Sequence, residues 1–486
     1  MVFSSLIFLY AFFSVSLLAC WLFKEKNVQN AVLLVFSLIF YAWGEPKYVL
    51  LLMFMAFNAY FCALQVQKAE KKGWKKFWVF LSSAIDIALI GWFKYAGLVY
   101  SIFGPVPEFI RKIALPIGIS FYTFQLLTYV VDVYRGEAPA QKKYWKVLLY
   151  AALFHQCIAG PIVRYKTVSR QLFGKKPRKP QVAVGVSRFA AGLAKKVLLA
   201  NPCGALADSL ILADSVATDI TKLAENIQAL EGLSVLAAWL GIFAYALHIY
   251  LDFSAYSDMA IGMGRMLGLK YLENFDFPYI SRSITEFWRR WHISLGTFFR
   301  DYVYIPMGGS RCNVVRACFN TFVVWFLTGL WHGASWNFVL WGLWFFVFLM
   351  LERAFLKKVL DKLPLLSNLY VLVVVTLGWV VFRFTNLDLA MTLLRSLFGA
   401  NGNALSDFIT ENVFMANSVL LLVCVLASTP LAKTIKEKLQ RFCYSHGGLA
   451  VVWNLVFYSL IPVVLLLLST AGLVGDSYNP FIYFQF

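Results

Sequence analysis

A single histidine lies in a long apolar stretch of the sequence. His332 sits between Trp331 and Gly333, inside a stretch from Trp325 to Asn337 whose other side chains carry no charge. An ionisable side chain is costly to bury at membrane depth, so such a residue indicates a functional site by default. A neutral imidazole can take a proton from a hydroxyl group and return it, which acyl transfer requires. The alternative is a core histidine that is hydrogen-bonded to a backbone carbonyl.

A second histidine follows a basic and aromatic cluster. His292 comes directly after Trp288-Arg289-Arg290-Trp291, and Arg300 follows within the same amphipathic segment. This histidine could orient a nucleophile or help to bind a phosphate. The guanidinium groups of Arg289, Arg290 and Arg300 suit phosphate oxygens. The alternative is an interfacial histidine beside a basic cluster.

Cations also follow a break in an apolar run. The run ends at Gly160-Pro161, and Arg164 and Lys166 come next. A bent helix end that offers cations would suit a phosphate-rich ligand. An ordinary cytoplasmic helix end would give the same pattern, so both interpretations stay open.

Polar residues interrupt another apolar span. Asp252, Ser254 and Asp258 lie near membrane depth in the sequence. Polar groups at such a depth need partners, and Arg289 and Arg290 are natural ones. We interpret the three residues as a buried structural network instead of as catalytic groups.

The composition predicts a helical membrane protein. The chain has 486 residues, 60% of them hydrophobic, and a mean hydropathy of +0.69. The net charge of +19 comes from Lys and Arg in short loops between apolar spans, which is the positive-inside bias and not a sign of nucleic-acid binding. The absence of a Walker A sequence argues against an ATP-driven pump. The scattered cysteines indicate neither a metal site nor a disulfide framework.

The predicted fold class is all-α, with about 11–12 spanning or re-entrant helices plus amphipathic interfacial helices. One domain would cover residues 1–486. The amphipathic segments are 182–199 and 273–311; the second could lie flat on the inner surface or fold into the protein, and Thr285 could cap its helix. The predicted spans are 3–23, 28–43, 48–66, 77–100, 113–133, 146–160, 232–255, 313–331, 334–355, 366–383, 413–428 and 450–472.

Basic runs set the predicted orientation of the spans in a membrane. Lys- and Arg-rich runs should face the cytoplasm. The N-terminus then lies outside, and the last span leads outward to an extracytoplasmic tail, Gly475–Phe486. The runs are 68–76, 142–146, 175–179, 357–362 and 433–441.

Four passages together resemble the membrane-bound O-acyltransferase (MBOAT) family. They are Gly160–Tyr165, Tyr250–Gly262, Trp288–Pro306 and Gly329–Ala334. Within the family, the chain is most similar to the branch of alginate and peptidoglycan O-acetyltransferase membrane subunits. The resemblance implies the MBOAT fold, and the pattern of spans extends it over nearly the whole chain.

The resemblance also implies a function. The near-invariant histidine of the family maps onto His332 and its second functional histidine onto His292, with Trp331 and Asn337 at the substrate. The acyl donor would be cytoplasmic acetyl-CoA, with no permanently bound cofactor. An extracytoplasmic partner of the SGNH-esterase type would complete transfer to a surface polysaccharide, in the cytoplasmic membrane of a bacterium. The cations expected to meet the donor phosphates are Arg164, Lys166, Arg289, Arg290 and Arg300.

The C-terminus carries a second likeness. Phe481-Ile482-Tyr483-Phe484-Gln485-Phe486 is similar to the Phe-x-Tyr-x-x-Phe ending of the small peptide that accompanies the teichoic-acid D-alanyl transferase of the same family. By residue matching, Tyr483 is the candidate acyl carrier, and the predicted orientation places it outside. The alternative is an aromatic anchor at the outer interface.

Three other functions stay open at this point. Intramembrane His, Asp and Arg residues and broken helices also suit a proton-coupled transporter. A scaffold for a polysaccharide synthase would need no chemistry of its own. Within the enzyme class, the main rival is D-alanyl transfer to teichoic acid, with a carrier protein as donor.

Overall fold

All regular elements in the described part of the chain are helices. The computed structural model describes residues 3–157, 160–174, 181–475 and 478–479. Within these residues, nine helices are long and apolar enough to cross a membrane. The predicted all-α, polytopic fold class is therefore confirmed. The basic run 175–179 and Tyr483 lie outside the described residues.

The chain divides into two compact units. The prediction of one domain over residues 1–486 is not tested by this division and stays a prediction. Unit 1 comprises Met1–Gly192, Tyr256–Glu273 and Tyr458–Val464, and unit 2 comprises Leu193–Ala255, Asn274–Phe457 and Leu465–Phe486.

Two of the predicted spans in unit 1 are shorter than expected. The span predicted at 113–133 is the helix Ile119–Tyr134, which begins after Gly118 at a φ of 75°. The span predicted at 146–160 is two short helices, and Gly160 beyond them has a φ of 110°. Glycine tolerates such positive φ values, and the one at Gly118 sets the start of the helix Ile119–Tyr134. The helices of unit 1 are Ile7–Phe13, Ser14–Leu22, Lys26–Gly44, Val49–Lys68, Lys72–Ile90, Gly91–Tyr95, Ala96–Phe103, Glu108–Arg111, Ile119–Tyr134, Tyr144–Ala152, Phe154–Cys157, Tyr165–Phe173 and most of Val182–Ala194.

Unit 2 contains the residues of greatest interest. The helix Val235–Met266 contributes its residues up to Ala255 to this unit. The other helices that lie wholly or partly in it are Lys195–Ala200, Asn201–Ile211, Asp214–Ala217, Ile220–Lys222, Leu223–Glu231, Pro278–Ile280, Ile284–Arg290, Ile293–Phe299, Arg300–Tyr304, Val314–His332, Trp336–Leu351, Glu352–Leu356, Lys357–Leu360, Pro364–Arg383, Leu387–Leu397, Phe408–Ala427, Leu431–Ser445, Gly447–Leu455, Val456–Leu460 and Ile461–Gly475.

Five helices of unit 2 position the candidate site. They are α1 (Ile284–Arg290), α2 (Ile293–Phe299), α3 (Val314–His332), α4 (Trp336–Leu351) and α5 (Pro364–Arg383). The first two belong to the amphipathic segment 273–311, which folds into the protein as a series of short helices.

The start of α1 corrects one expectation. Ser283 caps this helix, because its hydroxyl accepts the Glu286 N–H at 3.0 Å. The prediction that Thr285 is the cap is wrong. Thr285 lies inside the first turn, where its own hydroxyl donates to a carboxylate from another helix.

Glycines allow α3 and α4 to pack backbone against backbone. A Cβ atom on Gly329 would lie 2.4 Å from the Phe338 carbonyl oxygen, and one on Gly342 would lie 2.4 Å from the Trp325 carbonyl oxygen. Such close approach is typical of small residues at membrane helix crossings. The crossing fixes the end of α3, and with it His332, against α4.

Candidate active site

His292 occupies the turn between α1 and α2 in a strained backbone conformation. Its φ of 45° and ψ of 54° lie in the left-handed region, which residues other than glycine rarely adopt. Such a conformation persists only where surrounding contacts hold it, and it is enriched at functional sites. One of these contacts is the Ile293 N–H, which donates to the Asn274 carbonyl at 2.9 Å.

The side chain of Asn274 orients the imidazole of His292. Its Oδ1 accepts the backbone N–H and the hydroxyl of Ser294, at 3.1 and 2.8 Å. Nδ1 of His292 lies 3.3 Å from the same oxygen, and a proton on Nδ1 makes this contact a hydrogen bond. Nε2 is then the basic nitrogen of the ring.

His292 is buried, and burial keeps its imidazole neutral at the pH of a cell. The residue is 2% exposed, and loss of solvation lowers its pKa to about 3. The ring of Phe253 packs edge-on against it at a centroid distance of 4.8 Å. A neutral imidazole can orient or accept a proton, but it supplies no positive charge to a phosphate.

A cavity of about 620 Å³ lies beside His292. It is lined by α1, α2, the short helix Arg300–Tyr304, one face of α3 and Leu349 of α4. Arg289 and Arg300, both exposed, line it together with His292, and the rings of Trp288 and Trp325 form part of its wall. Two cations beside aromatic and apolar walls suit a ligand that has an anionic part and an apolar part.

The cavity follows one face of α3. Thr321, Trp325 and Thr328 line it, and at about 3.6 residues per turn they lie on successive turns of the same face. His332 lies one further turn along this face. Among the described residues of α3, the cavity lining stops at Thr328, so His332 stands just beyond the end of the cavity.

His332 is enclosed by aromatic rings. It is 6% exposed, and its ring packs edge-on against Trp331, Trp341 and Phe382 at centroid distances of 5.0, 4.8 and 5.2 Å. The indole of Trp331 also packs against His292, at 5.6 Å. One indole therefore contacts both imidazoles, and the two candidate catalytic histidines belong to one cluster.

Asn337 holds this cluster together from the start of α4. Its side chain is fully buried, and its Nδ2 donates to the carbonyls of Val381 and Phe382 at 3.2 and 3.3 Å. These bonds tie α4 to the end of α5, where Phe382 contacts His332. The predicted contacts of Asn337 and Trp331 with substrate stay predictions.

Comparison with known proteins identifies the family. The family model described as MBOAT, membrane-bound O-acyltransferase, matches residues 33–384, which include both histidines and α1 to α5. The chain belongs to the MBOAT family. The predicted resemblance is thereby confirmed, and this MBOAT protein is a multi-pass membrane O-acyltransferase.

Named relatives of this MBOAT protein agree with that class. It is 35% identical to the probable alginate O-acetylase AlgI of Pseudomonas aeruginosa, over 100% of both chains. It is 29% identical to the peptidoglycan O-acetyltransferase of Helicobacter pylori, over 100% of this chain and 98% of the relative. It is 25% identical to the teichoic acid D-alanyltransferase of Bacillus subtilis, over 55% of this chain and 67% of the relative. The prediction of an enzyme is confirmed, and the transporter and scaffold alternatives are not supported.

Two arginines of the segment 273–311 in the MBOAT protein, Arg290 in α1 and Arg300 directly after α2, differ in their surroundings. Arg290 does not line the cavity; it pairs with Glu286 at 2.9 Å and with Asp276 at 3.4 Å. Arg300 pairs with Asp301 at 2.7 Å and also lines the cavity, with 60% of its side chain exposed. The predicted role of Arg290 in phosphate binding has no support in this geometry.

Two other predicted cations belong to unit 1. Arg164 directly precedes the helix Tyr165–Phe173. Lys166 lies in the first turn of that helix and forms an ion pair with Glu137. Their predicted role at the donor phosphates stays a prediction.

The predicted polar network of the MBOAT protein has other partners than expected. Asp252 pairs with Lys196 at 2.8 Å, and the two side chains are 0% and 2% exposed. Ser254 accepts a hydrogen bond from Lys195 at 3.2 Å. The prediction that the arginines of α1 are the partners is wrong, because the adjacent lysines of the segment 182–199 reach these groups instead.

Asp258, the third member of the predicted network, is in unit 1. It pairs with Arg188 at 2.6 Å, and Arg188 also binds Glu273 at 2.5 Å. The partner of Asp258 is again on the segment 182–199, and its predicted structural role stays a prediction.

Sequence reasoning missed a buried carboxylate that anchors α1. Glu352, 3% exposed, accepts the N–H groups of Ile284 and Thr285 and the hydroxyl of Thr285. These N–H groups belong to the first helical turn and have no partner within the helix. A lone glutamate inside the predicted span 334–355 is the signal that could have found it, by the reasoning applied to His332.

The position of Tyr483 lies outside the described residues, so its predicted role as acyl carrier stays a prediction. Within residues 3–157, 160–174, 181–475 and 478–479, no group of three or more His, Cys, Asp or Glu side chains is placed to hold a metal ion.

Proposed function

We propose that this MBOAT protein is an O-acetyltransferase that moves acetyl from cytoplasmic acetyl-CoA to a hydroxyl acceptor outside the membrane. The final acceptor is a cell-surface polysaccharide of the alginate or peptidoglycan kind, as in the names of its relatives. The observation that carries the proposal is the cavity along α3, which leads from two exposed arginines to the turn next to His332. The protein lies in the cytoplasmic membrane of a bacterium with its C-terminus outside.

The charged side of the cavity suits coenzyme A. Arg289 is exposed and has neither an ion pair nor a hydrogen bond within the described part of the chain. Its guanidinium is available to bind a phosphate in a bidentate manner. The apolar and aromatic wall beyond it, formed by residues such as Trp288 and Trp325, suits the thinner, largely uncharged arm that carries the thioester.

The replacement Arg289→Gln is expected to raise the KM for acetyl-CoA about tenfold or more, because a hydrogen bond to a charged group contributes about 1.5–3 kcal/mol. The rate at saturating donor should change little. Arg290→Gln is the matched control, since this neighbouring arginine is engaged by two carboxylates away from the cavity. Steady-state kinetics with radiolabelled acetyl-CoA measure both variants, and equal KM values would remove the donor from this cavity.

His332 is the proposed general base for the transfer. An acceptor hydroxyl gives its proton to the neutral imidazole while its oxygen attacks the thioester carbonyl carbon. The new carbon–oxygen bond forms, the carbon–sulfur bond breaks, and the imidazolium returns the proton to the coenzyme A thiolate. The rings of Trp331, Trp341 and Phe382 enclose this imidazole, which must be neutral to accept the proton.

The proposed first acceptor is the Tyr483 hydroxyl. An acyl ester on the C-terminal tail would carry acetyl outward without moving the charged coenzyme across the membrane. An extracytoplasmic partner of the SGNH-esterase type would then pass acetyl from the tyrosine ester to a sugar hydroxyl. The Phe-x-Tyr-x-x-Phe pattern of residues 481–486 supports this role.

Tyr483→Phe keeps the ring and removes the hydroxyl, so acetylation of the polysaccharide is expected to fall to background. The measurement is mass analysis of surface glycans, together with mass spectrometry of the C-terminal peptide for a gain of one acetyl group. Tyr458→Phe, in the short helix Val456–Leu460, is the matched control. If the glycans of the Tyr483→Phe variant remain acetylated, Tyr483 is not the acyl carrier and the tail is an aromatic anchor at the outer interface.

D-alanyl transfer is the competing function inside the family. Its support is the similarity to a teichoic acid D-alanyltransferase over about half of the chain. Purified protein supplied in parallel with labelled acetyl-CoA and with a D-alanyl carrier-protein thioester separates the two. If the protein releases the acyl group from the carrier-protein thioester but not from acetyl-CoA, it is a D-alanyltransferase and the acetyl proposal is wrong.

A further inference from the structure

Tyr478, in the described part of the C-terminal tail, contacts an ion pair of unit 2 formed by Arg383 and the partly exposed Asp208. The Tyr478 hydroxyl donates to Oδ2 of Asp208 at 2.8 Å. The other oxygen of this carboxylate accepts from Nη2 of Arg383 at 2.7 Å, and the Arg383 side chain is 3% exposed. The guanidinium lies 4.7 Å from the centre of the Tyr245 ring, so its position is fixed on two sides.

Two further residues complete the contact surface for the tail. Nδ2 of Asn201 donates to the Tyr478 carbonyl at 3.0 Å and lies 3.4 Å from Oδ1 of Asn479. A Cβ atom on Gly204 would come within 2.9 Å of the Tyr478 hydroxyl oxygen. The hydroxyl therefore fits because residue 204 has no side chain. We call Asn201, Gly204, Asp208 and Arg383 the tail socket.

The tail socket is linked directly to the environment of His332. Arg383 is the last residue of α5, and the preceding residue, Phe382, packs against the His332 ring at 5.2 Å. Tyr483 follows Tyr478 by five positions in the sequence, and five residue steps of backbone span at most roughly 17 Å. Holding the chain at Tyr478 therefore limits how far Tyr483 can move away from the tail socket.

We propose that the tail socket is a docking site for the C-terminal tail and that Tyr478 is a positioning residue for acyl transfer to Tyr483. The inference rests on the proposed function, in which Tyr483 accepts the acyl group. The tail and the site belong to one chain, so holding the tail at Tyr478 shortens the free tether and raises the effective concentration of the tyrosine hydroxyl at the site. The hydrogen bond to Asp208 is the contact that a single substitution can remove without changing the shape of the residue.

The test compares Tyr478→Phe with Tyr458→Phe in the full-length protein. The rate of acetyl incorporation at Tyr483, measured by mass spectrometry after mixing with acetyl-CoA, should fall about tenfold in Tyr478→Phe and stay unchanged in Tyr458→Phe. The KM for acetyl-CoA should be the same in both. Digestion with carboxypeptidase, followed by intact mass, should remove the last residues faster from Tyr478→Phe than from the unsubstituted protein.

The outcomes separate this inference from the proposed function. Equal labelling of Tyr483 and equal carboxypeptidase rates in Tyr478→Phe and unsubstituted protein would overturn the docking role while leaving the proposed function intact. Absence of label on Tyr483 in the unsubstituted protein would overturn the acyl-carrier proposal, and with it the positioning role. Asp208→Asn should reproduce the effect of Tyr478→Phe; an unchanged rate in that variant would also contradict the proposal.

Discussion

Replacing His332 by glutamine is expected to lower the rate of acetyl transfer by about 10²–10⁴-fold, the range that a positioned general base contributes. Glutamine keeps a polar side chain of similar length against Trp341 and Phe382, but it cannot accept the proton from a hydroxyl. The KM for acetyl-CoA should change little, because the cavity and its arginines are untouched. Single-turnover release of coenzyme A measures the effect.

His446→Gln is the matched control for this experiment. His446 is exposed, and its Nδ1 lies 2.9 Å from the Phe442 carbonyl, away from the aromatic cluster. Its replacement should leave the rate unchanged. If the His332→Gln variant has full activity and normal thermal stability, His332 is not the general base, and His292 becomes the candidate for that role.

Breaking the buried pair of Lys196 and Asp252 is expected to produce the largest loss of stability. Nζ of Lys196 lies 2.8 Å from Oδ1 of Asp252, and both side chains are almost fully buried. Asp252→Asn would leave the lysine charge without its counter-charge in an apolar interior, at a cost of about 3–5 kcal/mol. The free energy of unfolding in detergent micelles, from denaturant titration followed by tryptophan fluorescence, measures the loss.

The double variant Lys196→Met with Asp252→Leu is the companion to that test. It removes both charges together, and apolar replacement of a whole buried pair is often neutral or stabilising. We expect it to be more stable than Asp252→Asn. If the single substitution costs nothing, or the double variant is the less stable of the two, the pair does not have the structural role assigned to it.

The sequence predicted the helical class and most of the apolar helices because length and hydropathy determine both. It also singled out His332 and His292, since each ionisable ring contrasts with its surroundings. The four passages that resemble the MBOAT family placed both residues in one enzyme class. The contact of both histidines with Trp331 depends on how the helices pack, and no local sequence pattern predicts that packing.

The ion-pair and hydrogen-bond partners of the buried side chains could not be predicted from the sequence. Which cation meets Asp252 depends on the way helices pack, and a lysine on the segment 182–199 is indistinguishable in sequence from a solvated one. The anchoring of α1 by Glu352 depends on a contact across 67 residues of chain. The cap of α1 was misplaced by two residues because Ser283 and Thr285 both suit that role.

The central claim is that the end of the cavity along α3 brings a thioester to His332. Its most direct test is a structure of the protein with a non-hydrolysable thioether analogue of acetyl-CoA, determined by electron cryomicroscopy. We expect the phosphates near Arg289 and the acyl carbon beyond Thr328, within roughly 6 Å of the His332 ring, so that one hydroxyl oxygen fits between the acyl carbon and the ring. An acyl group that ends against His292, with His332 sealed off behind Trp331, would contradict it.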